Sequence, residues 1–433
     1  MRKIYILLFL FSAGFIYAQS NWISQPRFSN EDLYKCYFTD SLHGWVIADS
    51  GQIIATTNGG NSWTIQEKQT SITMIDVFFL NSQTGWVIGW LSNFVEFGTF
   101  IYSTTNGGTN WNSYRFPDTT VLINTIFFQN INTGFFGCAS APQNKIYKTI
   151  NGGVNWQQCY IDSNVIAKFP VRNIRFLNQN TGFGAGGYID INGIVWKTTN
   201  GGNSWMAFSV GPEPMNYISA RDSNHIFISG GDYEYGVTVV SSTNSGQNWI
   251  YDATSIFGIG MSVSHRTTNE FWIPTGFSQY LIKTTNSGEK YIVYPSPDST
   301  NINCLFFADS LHGYAVGAGG KFLKYIPNNT SVGNEGTEFV NEFKLFPNYP
   351  NPFNSSTVIN YTVPIPAYIT ITLYDVSGRK ISDIFSGVKN SGRHSVRYQM
   401  NNFASGIYFY TVTAKSLSNA EITSKTGKLV LVK

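Results

Sequence analysis

One eight-residue pattern occurs six times along the chain, and it constrains the fold more than any other feature. The copies are TTNGGNSW at 56–63, TTNGGTNW at 104–111, TINGGVNW at 149–156, TTNGGNSW at 198–205, STNSGQNW at 242–249 and TTNSGEKY at 284–291. Their closing aromatic residues are separated by 48, 45, 49, 44 and 42 positions. A period of this length is typical of the blades of a β-propeller.

Each period has the same internal order of elements. An alternating stretch such as MIDVFFLN is followed by a tight turn, SQTG, a second strand, WVIG, a variable loop, and a third strand that runs into the pattern. A fourth strand begins after the pattern, so each period predicts a four-stranded antiparallel meander. Aromatic residues make up 16% of the chain and charged residues 12%, which also favours an all-β fold with many turns.

Two further segments complete the count of repeats. Residues 302–326 repeat the first part of the first unit but end before any eight-residue pattern, whereas Ser20-Asn21-Trp22 resembles the end of a pattern with no blade in front of it. If the strand at Trp22 is the outer strand of the last blade, the chain forms seven blades in a closed ring, which protects the sheet edges. A six-bladed ring is the alternative, and it leaves either Trp22 or residues 302–326 unexplained.

The repeated pattern is predicted to have a structural role. Asn-Gly suits a hairpin that needs positive φ, the Thr and Asn side chains can bind neighbouring amides, and Trp buries a large surface. The predicted structural residues are Asn58, Gly60, Trp63, Asn106, Gly108, Trp111, Asn151, Gly153, Trp156, Asn200, Gly202, Trp205, Asn244, Gly246, Trp249, Asn286, Gly288 and Tyr291.

With Asn in place of Asp, the pattern resembles the Asp-box (BNR repeat) of sialidases and related β-propellers. The pattern is most similar to that of the propeller repeats of photosystem II assembly factors. In that family the box lies on the outer hairpin of each blade and is structural. The resemblance covers residues 20–326 and implies an architecture rather than an activity.

The first eighteen residues predict a secretory signal peptide. Arg2 and Lys3 precede an apolar run from Ile4 to Tyr17, and the small residue Ala18 follows it. A membrane anchor is the alternative, but this run is shorter than the roughly 20 residues that a helix needs to cross a bilayer. We therefore expect a mature chain that begins near Gln19 and has no membrane span.

After a polar linker at 327–343, residues 344–433 contain alternating strands separated by Ser-Gly turns, which predict a small immunoglobulin-like β-sandwich. Several blocks resemble the type A C-terminal sorting domain of type IX secretion. The residues that carry the resemblance are Pro350, Asn351, Pro352, Phe353, Asp375, Gly378, Gly406, Tyr408 and Lys433. The resemblance implies that the chain passes through the periplasm and is recognised by the outer-membrane secretion machinery. Gly427 departs from the family pattern, and an immunoglobulin-like adhesion module is the structural alternative.

Charge and motifs exclude several classes of function. A net charge of +3 is too small to predict nucleic-acid binding, and the sequence contains no HExxH, GxSxG or P-loop motif. We predict no cofactor and no metal, because the four cysteines are too few and too widely spaced for a zinc site. Cys138 and Cys159 belong to one repeat and are the more plausible disulfide pair, although buried free thiols are equally consistent with the spacing.

The variable loops carry the candidate binding and catalytic residues. In a four-stranded meander they emerge on the face opposite the boxes, and variation there is typical of a binding scaffold. The aromatic candidates for stacking on a sugar or a protein are Trp90, Tyr188, Tyr233, Tyr235 and Tyr280, although each could instead pack between blades. The candidate catalytic carboxylates of a glycosidase are Asp190, Asp232 and Glu234, with solvated loop charges as the alternative.

One position of each inner strand is polar in most of the repeats. These positions are Lys35, Asp76, Thr125, Asn173, Tyr217, Ser262 and Cys304. Because side chains alternate along a strand, we expect this set to border the central channel and to contact ordered water. The function predicted for the chain is non-catalytic binding of a glycan or protein outside the cell. The alternatives are a propeller-type glycoside hydrolase and an assembly or scaffold factor of the cell envelope.

Overall fold

The computed structural model describes residues 20–432 except for 93–95, 140–145, 163–167, 328–336, 340–342, 347, 349–350, 390–391, 402 and 418–421. The predicted signal peptide lies outside the described residues. Strands dominate the part of the chain that is described, and Pro297–Ser299 and Ala318–Gly320 each form a single 3-10 turn. The predicted all-β class is therefore confirmed.

Residues 22–161 begin with one short strand and continue as three antiparallel meanders. The first strand is β1 (Trp22–Ser24). Sheet 1 consists of β2 (Leu33–Phe38), β3 (Gly44–Ala48), β4 (Gln52–Thr56) and β5 (Thr64–Lys68). Sheet 2 consists of β6 (Ile72–Phe79), β7 (Gly85–Ser92), β8 (Phe97–Thr104) and β9 (Asn112–Arg115). Sheet 3 consists of β10 (Ile123–Phe128), β11 (Gly134–Cys138), β12 (Ile146–Thr149) and β13 (Gln157–Gln158).

The next two sheets have the same order of strands. In sheet 4 the strands are β15 (Val171–Phe176), β16 (Gly182–Tyr188), β17 (Asn192–Thr198) and β18 (Ser204–Gly211), with β14 (Tyr160–Ile161) added in parallel to β18. Sheet 5 consists of β19 (Met215–Ala220), β20 (Ile226–Asp232), β21 (Gly236–Ser242) and β22 (Ile250–Ala253).

Two more sheets complete this part of the chain. Sheet 6 consists of β23 (Ser264–His265), β24 (Phe271–Pro274), β25 (Tyr280–Thr284) and β26 (Tyr291–Pro295). Sheet 7 consists of β27 (Ile302–Phe307), β28 (Gly313–Gly317) and β29 (Lys321–Tyr325), and β1 pairs with its outer strand. In that pairing Trp22 lies opposite Tyr325 and Ser24 opposite Leu323. The first strand of the chain thus completes the sheet formed by the last unit.

Each box forms a turn closed by its own side chains. In the first box the Thr56 hydroxyl donates to Asn58 Oδ1 at 2.9 Å and accepts from Gly60 N at 2.9 Å, while Asn58 Oδ1 also accepts from Ser62 N. The other five boxes repeat this network. Gly59 N donates to Leu42 O in the turn between β2 and β3, so the boxes and these turns lie on one face, which we call the box face.

The aromatic residues of the boxes pack across the boundaries between sheets. Trp63 of sheet 1 contacts Phe322 of sheet 7, and Trp205 of sheet 4 contacts Phe135 of sheet 3. Gly202 has φ of +77°, and a Cβ there would lie 2.2 Å from the ring of Phe135. The glycine is therefore required both by the turn and by the close approach of the neighbouring sheet.

The polar inner-strand positions also join neighbouring sheets. Asp76 Oδ2 accepts from Ile126 N at 2.9 Å, and Asn173 Oδ1 accepts from Ile218 N at 3.1 Å. Ser262 Oγ accepts from the amide of Leu305 in the same way. Asp76, Thr125, Asn173 and Ser262 are at most 1% exposed. Asp76, Asn173 and Ser262 thus satisfy backbone amides at sheet junctions, a role that the expectation of a water-lined channel did not include.

The C-terminal part contains two sheets that share one hydrophobic core. One sheet pairs β31 (Ser356–Val363) with β34 (Gly392–Gln399). The other consists of β32 (Ala367–Tyr374), β33 (Lys380–Lys389), β35 (Gly406–Ser416) and β36 (Ile422–Leu431). Within the predicted linker, Thr337–Phe339 forms β30 and pairs with β26 of sheet 6, so this segment contains structure that its polar composition did not predict.

All four cysteines are buried free thiols. The suggested pairing of Cys138 with Cys159 is therefore not formed, and the alternative of buried apolar thiols applies. Cys36 of sheet 1 and Cys304 of sheet 7 are the pair that comes close, with 3.9 Å between their sulfur atoms.

Candidate functional site

A cavity of about 780 Å³ opens where the inner strands of the seven sheets begin, on the face opposite the boxes. We call it the channel mouth. Its lining includes one residue from the start of each inner strand or the segment just before it: Tyr34, Ile75, Asn124, Arg172, Asn216, Met261 and Asn303. Trp90, at the end of the second strand of sheet 2, also lines it.

A β-bulge in six of the inner strands explains why these residues reach the cavity. In β2 the pairing with β3 shifts between Leu33 and Lys35, so that Tyr34 is the extra residue. Equivalent shifts occur in β6, β10, β15, β19 and β27. A bulge re-aims a side chain without ending the strand. The bulges therefore turn one additional residue towards the channel mouth in each of these six sheets.

The polar groups of the channel mouth are held in place by backbone and side-chain contacts. Arg172 Nη1 donates to Asn216 Oδ1 at 2.7 Å, and Asn216 Nδ2 donates to Gly260 O at 3.2 Å. The indole of Trp90 donates to Ile123 O at 2.6 Å. A side-chain amide has more than one donor and acceptor site, so the amide of Asn216 can still bind a ligand.

Two charged side chains, Lys35 and Arg172, belong to the lining of the channel mouth. Lys35 forms an ion pair with the buried carboxylate of Asp76 and lies 5.0 Å from the ring centroid of Tyr217. Burial opposes the charge of Lys35, but Asp76 and Tyr217 together outweigh this effect and raise the pKa of the lysine. Burial lowers the pKa of Arg172, which carries a second positive charge to the lining. Lys35, Tyr217, Ser262 and Cys304 line the cavity, as expected for the polar inner-strand set.

The loops around the channel mouth carry exposed aromatic side chains. Tyr188, Tyr233 and Tyr235 are 50%, 63% and 54% exposed, whereas Tyr280 is half-buried in β25. Tyr233 contacts Phe277 with 4.8 Å between ring centroids, and Phe277 also contacts the exposed Phe257. Of the five aromatic candidates, Trp90 lines the channel mouth and three tyrosines are exposed.

Two of the three predicted carboxylates come together with a third that the sequence reasoning missed. One oxygen each from Asp190, Glu213 and Asp232 lies within 4.8 Å of the others. We call these three residues the acidic cluster. Glu234 is exposed, is not part of it, and donates its backbone N to Asp232 Oδ1 at 3.0 Å. Asp232 Oδ1 also accepts from Tyr235 N at 2.7 Å, so the turn holds this carboxylate in one orientation.

The burial of the acidic cluster argues against glycoside hydrolysis. Glu213 and Asp232 are 1% and 3% exposed, whereas a general acid must contact the glycosidic oxygen of its substrate. Burial and the neighbouring charge of Asp232 raise the pKa of Glu213. The arrangement therefore concentrates negative charge in a place that a polysaccharide does not reach.

The sorting-domain residues hold the last strand in place. Asn351 Nδ2 donates to Lys428 O and Asn351 Oδ1 accepts from Val430 N, each at 2.9 Å. Phe353 is buried in the core of the two sheets. A Cβ on Gly427 would lie 2.4 Å from the ring of Tyr410, which explains this departure from the family pattern.

The remaining sorting-domain candidates lie in turns and at strand ends. Gly378 has φ of +80° in the turn capped by Asp375, Gly406 begins β35, and the Tyr408 hydroxyl donates to Ala404 O. Pro350 and Lys433 lie outside the described residues, and Pro352 follows Asn351 directly. The described part of the chain contains no helix with the length and hydrophobicity needed to cross a membrane.

Comparisons with solved structures show the fold of the N-terminal part. YCF48 bound to a D1 peptide is 17% identical, with a TM-score of 0.58 over 72% of this chain and 100% of that one. YCF48 from Cyanidioschyzon merolae is 19% identical, with a TM-score of 0.56 over 71% and 99%. Virginiamycin B lyase from Staphylococcus aureus is 11% identical, with a TM-score of 0.54 over 70% and 98%. No curated protein sequence matches the chain.

Two family models match consecutive parts of the chain. The model of the photosynthesis system II assembly factor YCF48 matches residues 17–326, and that of the secretion system C-terminal sorting domain matches residues 348–431. The second match indicates export to the cell surface or secretion by the type IX system. The chain belongs to the family of the photosystem II assembly factor YCF48, and its propeller-type domain is followed by a C-terminal sorting domain.

Proposed function

We propose that this exported protein binds an extended segment of another protein at the channel mouth and catalyses no reaction. The observation that carries the proposal is the lining of the cavity, where bulges bring asparagine amides and apolar side chains from different sheets to one opening. Asparagine side chains suit a peptide ligand because they can donate to and accept from its backbone. Trp90 and Met261 offer apolar surface for its side chains.

We further propose that sheets 1–7 are the blades of a seven-bladed ring and that the C-terminal sheets form an immunoglobulin-like sandwich. The pairing of β1 with β29 supports closure, since it joins the two ends of the repeat region. The contact of Trp63 with Phe322 supports the same junction between sheets 1 and 7. The common core of the two C-terminal sheets supports the sandwich. On this interpretation the signal peptide directs the chain to the periplasm before the sorting domain completes export.

A protein ligand is favoured over a glycan by the type of cavity. Flat sugar rings bind best to exposed aromatic faces, whereas the channel mouth is lined by polar groups with fixed partners and by the charged side chains of Lys35 and Arg172. The peptide-bound structure among the YCF48 relatives supports the same class of ligand. Tyr188, Tyr233 and Tyr235 form the surface that a glycan would use instead.

The test is selection from a library of short linear peptides with the purified full chain, followed by affinity measurement of the selected peptides. Trp90→Ala and Arg172→Ala are expected to weaken binding by about tenfold or more, as buried anchors of interfaces do. Tyr160→Ala, at a 66%-exposed tyrosine away from the cavity lining, is the matched control and leaves the affinity unchanged.

Two results would contradict the proposal. One is a library that yields no binder. The other is a set of peptides whose affinity is insensitive to both channel-mouth variants. Retention of a polysaccharide that is lost in Tyr233→Ala would assign the function to the exposed tyrosines and to a glycan.

A further inference from the structure

The acidic cluster is built from three separate segments at the junction of sheets 4 and 5. Asp190 lies in the turn between β16 and β17, Glu213 in the connection from β18 to β19, and Asp232 at the end of β20. The backbone around Glu213 is fixed by both neighbours. Gly231 N donates to Pro214 O at 3.0 Å, and a Cβ on Gly193 would lie 2.1 Å from Glu213 O. The three carboxylates are thus placed by tightly packed backbone.

The buried glutamate lacks the partners that such a group needs. Glu213 is 1% exposed, and its Oε1 has no hydrogen-bond partner. Its Oε2 accepts a long contact of 3.5 Å from Asp190 N, and the side chain beside it is the carboxyl group of Asp232, which is neither a cation nor an N–H donor. Among the described residues, no lysine, arginine or histidine forms an ion pair with any member of the acidic cluster. A buried carboxylate without a cation or donor is costly, so this set of oxygens is incomplete as it stands.

We propose that Asp190, Glu213 and Asp232 bind a calcium ion. Calcium is coordinated by carboxylate and carbonyl oxygens at about 2.3–2.6 Å, so two of its ligands can be up to about 5 Å apart. The three oxygens lie within 4.8 Å of one another, which satisfies this limit. The ion neutralises the buried charge and supplies the missing partner of Glu213 Oε1. Because Asp190 is exposed, water completes the coordination from the solvent side.

The position of the ion predicts its effect on the protein. The turn from Tyr188 to Asn192 and the turn from Asp232 to Gly236 contribute one ligand each, and they carry the exposed tyrosines. A bound ion therefore fixes these two turns relative to each other. This inference is independent of peptide binding at the channel mouth, because Asp190, Glu213 and Asp232 are not among the residues that line that cavity.

The test is calorimetric titration of calcium chloride into the full chain after treatment with a chelator. We expect binding of one ion, weakened at least about tenfold in Asp190→Asn and Glu213→Gln and unchanged in Glu234→Gln. Asp190 is exposed, so its variant folds normally, and Glu234 provides a control carboxylate in the same turn as Asp232.

The proposal is overturned if the wild-type chain binds no calcium up to about 10 mM, a concentration above the dissociation constants of weak extracellular calcium modules. It is also overturned if Asp190→Asn and Glu234→Gln bind as the wild type does. In either case the acidic cluster holds a proton shared between Glu213 and Asp232 rather than a metal ion.

Discussion

Two buried glutamates on opposite faces of the propeller have opposite surroundings. Glu270, on the box face, accepts from Arg266 Nε at 2.6 Å and from Trp272 Nε1 at 2.7 Å. Glu213 lies on the opposite face, which carries the variable loops and which we call the loop face. It has two carboxylates beside it and an oxygen without a partner. Burial raises the pKa of both glutamates. The donors around Glu270 outweigh this effect and lower its pKa, whereas Asp232 raises the pKa of Glu213 further.

The difference separates structural from functional use of polar residues. On the box face the Thr or Ser hydroxyl and the Asn side-chain oxygen of each box are hydrogen-bonded within their own turn, and Glu270 is paired with Arg266. On the loop face the arrangement is not repeated, and groups remain that need an external partner. The box face thus supports the fold, and the loop face is the surface that we propose for a ligand.

The largest expected effect compares the two glutamates directly. Glu270→Gln removes a charge that accepts three close hydrogen bonds, so we expect a loss of about 2 kcal/mol in the free energy of unfolding. Glu213→Gln in the metal-free protein removes a like-charge contact, so stability stays equal or increases. Urea denaturation of both variants in the presence of a chelator measures this. Equal destabilisation would remove the distinction between the faces.

A smaller effect is expected within a box. Thr56 is 3% exposed, and Thr56→Val removes both the acceptor of Gly60 N and the donor to Asn58. We expect a loss of about 1 kcal/mol, since one buried amide is left without a partner. Tyr235→Ala, at a 54%-exposed residue of the loop face, changes stability by less than about 0.5 kcal/mol. Thermal unfolding of the two variants tests this difference. A larger decrease in melting temperature for Tyr235→Ala than for Thr56→Val would contradict it.

The smallest expected effect is the pH dependence of the stabilisation by Glu270. Because the pKa of folded Glu270 lies below its unfolded value, its stabilisation is complete above the ordinary pKa of glutamate, about 4.3, and is lost as the pH falls. The stability difference between wild type and Glu270→Gln should therefore be constant near neutral pH and shrink in acid. Urea denaturation of both proteins at a series of pH values checks this. A difference that grows below pH 4.3 would contradict it.

Much of the fold could be predicted from the sequence because the repeats encode it locally. The turn at Thr56–Trp63 depends on side chains within eight residues, and the partner of Trp22 follows from counting repeats. Glu213 could not be predicted as part of a site, because it lies in an irregular connection and meets Asp190 and Asp232 only through the packing of neighbouring sheets. Arg172 was not predicted to line the cavity, because the prediction assumed that side chains alternate strictly along each inner strand. A bulge at Arg172 interrupts this alternation in β15.

The pairing of β1 with β29 has a consequence for the order of events during folding. Trp22 and Tyr325 lie at opposite ends of the repeat region, so sheet 7 can be completed only after the last repeat has been synthesised. Contacts between residues so distant in sequence form slowly, because the loop between them must be closed first. We therefore expect the pairing of β1 to be among the last steps in the folding of the repeat region.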